Sequence, residues 1–200
     1  MDKKKLIIVC VTVVAVAMLV IAISVGKKDN SKAVSENPTP SQQNDRAQSD
    51  EKDLGLCKII AIADIKSALG SAAATLSGPN NTGVTSLGDG DKGQTCVYPF
   101  TEGGDVSNSF YTDLAQYSHE SFDKVADFTA TSGTPVSGVG DKATYAAGQP
   151  LTGSKEFTIT AVKGTNVYLF VISQPKDATS FDEASALKAL TTIAQSATLK

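Results

Sequence analysis

Residues 6–25 are an almost unbroken apolar run in which only Cys10, Thr12 and Ser24 are mildly polar. Wound as a helix, this run is about 30 Å long, the hydrocarbon thickness of a bilayer. Residues 27–53 invert the pattern, with one Val, two Ala and no aromatic. They bury too little surface to offset the entropy of folding, so a disordered tether is expected, stiffened locally by Pro38 and Pro40. From Leu54 onward apolar and polar residues interleave. Three parts follow: a membrane anchor or signal segment at 1–26, a polar linker at 27–53 and a folded domain at 54–200.

Within the domain, Ile59, Ile60, Ile62, Ile65 and Leu69 recur at mixed helical spacing, with Asp64 as a cap and Gly70 as a stop. Turn residues at 78–81 and 88–93 frame a weak strand near 83–87, and Thr95–Phe100 reads as a short strand that Pro99 ends or places at an edge. Residues 106–116 fit strand or helix equally. Phe122, Val125, Ala126 and Phe128 or Thr129 share one face of a helix starting near Ser118. A turn at 134–141 leads to a strand at 142–147. Strands at 155–162 and 167–173 flank Lys163-Gly-Thr-Asn166, a hairpin turn. The second of them, VYLFVIS, is apolar on both faces and belongs in the middle of a sheet. Ser180-Phe-Asp-Glu183 has the form of a capping box, and Phe181, Ala184, Leu187, Leu190, Ile193 and Ala197 form a helical stripe. This order predicts an α+β domain, a single antiparallel sheet flanked by helices, preceded by one transmembrane helix and a disordered tether.

Composition adds limits. With 41% apolar and 20% charged residues the chain is globular in type, and the folded part is long enough to bury one core. Of 18 basic and 21 acidic residues, seven and five fall in residues 1–50, which leaves the remainder near −5. A domain of that sign, whose chain has its only arginine in the linker (Arg46), lacks the cationic cluster that nucleic acid requires. Lysines flank the apolar run equally on both sides, so they do not orient it. Its length favours an uncleaved anchor over a signal peptide cleaved near Ser24, and Val9 before Cys10 argues against lipid attachment there. Cys57 and Cys96 are the only cysteines of the folded part, and an isolated pair suits a disulfide in an oxidising compartment. The domain is therefore expected on the extracytoplasmic side, single-pass, or secreted after cleavage.

Candidate chemistry is sparse. His119 is the only histidine, which excludes a histidine metal cage, and no nucleophile elbow accompanies it. An exposed polar residue at a helix start is the better reading. Asp89-Gly-Asp91-Lys-Gly93 begins like a calcium loop but lacks a third ligand and the distal Glu in register; Glu102 lies at the wrong spacing. A solvated turn is favoured. Gly138 and Gly140 precede a strand and lack the Lys-Ser/Thr of a phosphate loop. The tight acidic pairs Asp89/Asp91 and Asp182/Glu183 fall in a turn and at a helix cap. The aromatics Tyr98, Phe100, Phe110, Tyr111 and Tyr117 suit a sheet core; Tyr98, Phe100 and Tyr111 are also the candidate lining of a ligand groove.

Cys57, Leu69-Gly70, Cys96-Val-Tyr98, Val136-Ser-Gly-Val-Gly-Asp141-Lys-Ala143 and the 180–197 helix together span residues 54–200. In this arrangement the chain resembles a family of small cell-envelope lipoproteins of uncharacterised function, common in actinobacteria. That family is similar in architecture to the PsbP fold, an antiparallel sheet flanked by helices. The resemblance implies no catalytic residues, and the chain departs from it in having a plain apolar span where the family has a lipobox. The expected function is that of a non-catalytic binding or interaction module of the cell envelope, held to the membrane by its N-terminal helix. It would take an envelope protein, lipid or glycan as partner and use neither cofactor nor metal. The alternative is a small envelope hydrolase with a carboxylate- or metal-dependent site.

Overall fold

A computed structural model of the chain describes residues 53–129, 133–148 and 153–200. The apolar run at 6–25 and all of the linker before Asp53 lie outside the described residues. Among the described residues no helix is long and apolar enough to cross a membrane.

The domain is α+β, with one antiparallel sheet of seven strands and three α-helices among the described residues. The strands are β1 (Asn80–Gly88), β2 (Asp91–Pro99), β3 (Ser109–Gln116), β4 (Thr134–Pro135), β5 (Lys142–Gly148), β6 (Ser154–Lys163) and β7 (Asn166–Pro175), and the helices are α1 (Ile62–Leu69), α2 (His119–Thr129) and α3 (Glu183–Ser196). The sheet order is β1-β2-β3-β7-β6-β5-β4. The doubly apolar VYLFVIS stretch thus lies in the central strand, as its composition requires. The link through α2 carries the chain from β3 past β7, β6 and β5 to the far edge.

Register sorts the side chains onto two faces. Cys96 lies opposite Thr112, Tyr98 opposite Phe110 and Phe110 opposite Ile172, so these share a face with Phe170, Ile159 and Phe157. On that face they pack with Leu56, Ile60, Ile65 and Leu69 from the first turns and with Leu190 and Ile193 from α3 to form the core. The second face carries Thr95, Tyr111, Asp113, Val171, Ser173 and Glu156.

Several element boundaries moved, each for a local reason. Both β1 and β2 are longer than the pattern predicted, and Asn80 and Asn81 are strand rather than turn. Pro99 ends β2, which is no edge strand because β1 covers its outer side. Residues 106–116 divide into a 3-10 turn at Val106–Asn108 and the strand β3. Asp64 does not cap α1: the amides of Asp64 and Ile65 already bond to the Ala61 carbonyl, and Gly70 stops the helix at φ 61°. The cap of α3 is Asp182 with Ser185, two residues beyond the expected box at Ser180–Glu183. The reason is the buried Gln174. Its amide nitrogen donates to the Phe181 carbonyl at 2.8 Å and its oxygen accepts from the Phe181 amide at 3.1 Å. With that carbonyl occupied, the first intrahelical acceptor is Asp182, which receives Ala186 N–H at 2.9 Å.

Candidate functional site

Each residue singled out by the sequence has a place. Cys57 and Cys96 form a disulfide with Cα atoms 5.5 Å apart, tying the opening turn to β2. Tyr98 and Phe100 are buried in the helix-side core, where Tyr98 packs on Phe110 and Phe100 on Phe181. Tyr111 is buried on the opposite face of the sheet, so the structure does not bring it together with Tyr98 and Phe100 in one groove. His119 is exposed at the start of α2. Asp91 is buried and accepts the Ser118 amide at 2.8 Å, while Ser118 Oγ accepts the Ser121 amide at 3.1 Å. The second carboxylate of the suspected calcium turn is therefore engaged at the entry to α2, and Asp89 occupies the hairpin turn with φ 52°. Among the described residues no three His, Cys, Asp or Glu side chains are placed to hold a metal ion.

The Val136–Ala143 run is a structural clamp. Gly140 has φ 56°, and a Cβ there would lie 2.4 Å from the Val162 carbonyl. The next residue, Asp141, accepts from Lys163 Nζ and from the Gly164 amide, both at 2.8 Å, and so closes the β6–β7 hairpin. These bonds hold the Asp141 carboxyl below the usual aspartate range, the lysine contact first among them.

The chemistry missed by the sequence reading lies on the second face, on β3, β7 and β6. Glu156 accepts from Ser173 Oγ at 3.4 Å and is also hydrogen-bonded by Tyr111 and Ser154. Asp113 accepts from Thr95 Oγ1 at 2.5 Å. Burial raises both carboxyls above their ordinary range; for Glu156 the charge of Asp113 adds to the rise, against the pull of the hydroxyls. Burial, then the two neighbouring carboxylates, pushes the Tyr111 phenol far up. In the ladder Asp113 shares a row with Leu169 and Thr160, and Glu156 shares one with Ser173 and Ser109. Strand spacing and rise then put their Cα atoms about 16 Å apart, with Tyr111 on the row between.

Comparison with known protein families, curated proteins and solved structures finds no match to this chain. The reading therefore rests on the residues themselves. Two carboxyls raised by burial and hydrogen-bonded by hydroxyls hold their protons to higher pH than surface carboxylates do. Asp113 and Glu156 do not stand out in the sequence, because one sits in a stretch that fits strand or helix equally and the other on the polar side of an alternating strand. A charged residue amid SFYTDLAQ, apolar on both flanks, was the available signal for Asp113.

Proposed function

We propose that the chain is a membrane-anchored, extracytoplasmic interaction module: residues 6–25 span the bilayer, residues 27–53 are the tether, and the α+β domain is displayed beyond it. The observation that carries this reading is the Cys57–Cys96 disulfide, a bond that forms and persists in oxidising compartments. The apolar run at the N-terminus supports the anchor. The partner is an envelope protein, lipid or glycan. The resemblance to small envelope lipoproteins supports the same placement.

A carboxylate-dependent hydrolase is the second reading, and what favours it is the pair Asp113 and Glu156, both raised above their ordinary range. The separation of their ladder rows, with Tyr111 between, leaves them poorly placed to flank a single bond. Protease added to intact cells whose envelope admits it should cut within 27–53 and release the domain. Full protection overturns the placement, and a mature N-terminus at Val25 replaces anchoring with secretion. His119→Ala should leave the cellular role intact, while shortening 27–53 should impair it. Hydrolysis of an envelope ester or glycoside by the purified domain, abolished in both Glu156→Gln and Asp113→Asn at unchanged melting temperature, would install the hydrolase instead.

A further inference from the structure

The Ser173 hydroxyl, on the central strand, has one proton and two acceptors. Its oxygen lies 3.3 Å from the Ser107 carbonyl and 3.4 Å from Glu156 Oε1. Ser107 belongs to the 3-10 turn Val106–Asn108, which lies against β7 and β2. A single O–H cannot serve both acceptors fully. We infer that Glu156 and Ser173 form a proton-operated latch on this turn.

With Glu156 ionised, the Ser173 proton goes to the carboxylate, because a charge-assisted hydrogen bond is about twice as strong as a neutral one. The Ser107 carbonyl then loses its strand-side donor. With Glu156 protonated, the carboxyl becomes a donor to Ser173 Oγ, and Ser173 is free to donate to Ser107. The latch is thus closed at lower pH and released as Glu156 loses its proton. Burial and the charge of Asp113 move that release above the ordinary glutamate range. The turn closes the loop containing Thr101, Glu102 and Gly103, which lines a shallow hollow with Thr75, Ser77 and Asn80. Release therefore alters the shape of that surface.

Among the described residues the charged and titratable groups around Glu156 are few. On the second face β3 contributes Tyr111 and Asp113, while the facing positions of β7 and β2 are Ser173, Val171, Thr95 and Val97. On β5, Glu156 faces Gly148, and Lys142 stands at the far end of that strand. The turn itself carries Asp105, which accepts from Ser107 N and Oγ and is held below the usual aspartate range by those bonds. Asp105 is therefore already ionised across the range in which Glu156 titrates.

Hydrogen exchange by mass spectrometry on the full-length chain in detergent micelles tests the latch, with fragmentation to resolve the amides of Phe100, Ser107 and Asn108. These amides donate to Asn108 O, Asp105 Oδ1 and Asp105 O respectively. Protection factors, corrected for intrinsic exchange, should fall about fivefold as pH rises from below the ordinary glutamate value of 4.5 through the range above it, the worth of one hydrogen bond. Glu156→Gln, whose amide donates to Ser173 at every pH, should keep the protected state throughout. Ser173→Ala should show the unprotected state throughout, and Asp105→Asn should retain the wild-type pH dependence. Protection that does not change with pH in the wild type, or a pH dependence that survives in Glu156→Gln, overturns the latch. A pH dependence lost in Asp105→Asn would assign the effect to the turn's own cap and overturn it equally.

Discussion

Removing the Cys57–Cys96 bond should cost about 4 kcal/mol. The bond closes a loop with a sequence separation of 39 residues. In the chain-entropy account a loop of that length removes about 13 cal/mol/K from the unfolded ensemble, which is about 4 kcal/mol at room temperature. For a domain of this size that loss lowers the melting temperature by roughly 8–15 °C. The variant is Cys57→Ala/Cys96→Ala, followed by guanidinium denaturation beside the oxidised wild type. Cys96 is fully buried, so its truncation adds a packing loss of about 1 kcal/mol. The slope of the transition separates the two contributions. An unfolded chain freed of a cross-link exposes more surface, so the slope should steepen in the variant, whereas a packing loss leaves it unchanged. A total loss below about 2 kcal/mol with an unchanged slope would refute the reasoning, because the bond would then constrain nothing that the core does not already hold.

Thr112 Oγ1 is buried without a hydrogen-bond partner on the helix-side face, so Thr112→Val should stabilise the domain by about 1 kcal/mol in the same denaturation assay. Gln174→Ala should destabilise it by about 2–4 kcal/mol, since it leaves both backbone groups of Phe181 unpaired in the interior. Gly140→Ala should cost more than about 1 kcal/mol, because the left-handed backbone and the Val162 carbonyl both oppose a Cβ, and thermal melts report it. Urea melts across pH should show two opposed slopes. Glu156 and Asp113, raised in the fold, contribute stability fully present below their ordinary values of 4.5 and 3.8 and lost as pH rises through their folded values; Glu156→Gln with Asp113→Asn should flatten that limb. Asp141 and Asp182, lowered by their hydrogen bonds, act in the other sense, and their smaller contribution is lost as pH falls below the ordinary 3.8.

The parts of the fold that periodicity revealed are those whose environment is uniform along the segment. VYLFVIS is buried on both faces and announced the centre of the sheet; the 183–196 helix presents one continuous stripe to it. The disulfide was legible because the folded part holds only two of the three cysteines, the third, Cys10, lying in the apolar run. Boundaries were less so, because they are decided by partners distant in sequence. The start of α3 is set by Gln174 of β7 and the entry to α2 by Asp91 of β2, and neither is visible within the helix it controls. The same holds for the second face. Tyr98 and Tyr111 are both strand aromatics, and only the register of β2 against β3 reveals that they point to opposite sides. Glu156, Tyr111 and Ser173 come from three strands and meet through pairing alone.

The way the chain enters the domain has a mechanical consequence. Asp53 is fastened by Gln94, whose amide donates to it at 2.6 Å, and Gln94 in turn receives the Leu56 amide. Cys57, only four residues further on, is covalently joined to β2. A force applied through residues before Asp53 can thus draw out about 14 Å of chain before it reaches that bond. From there tension passes into the second strand of the sheet, and β2 is hydrogen-bonded on both sides, to β1 and to β3. Traction from the N-terminal side therefore bypasses residues 58–95 and cannot draw out α1 or β1 ahead of β2.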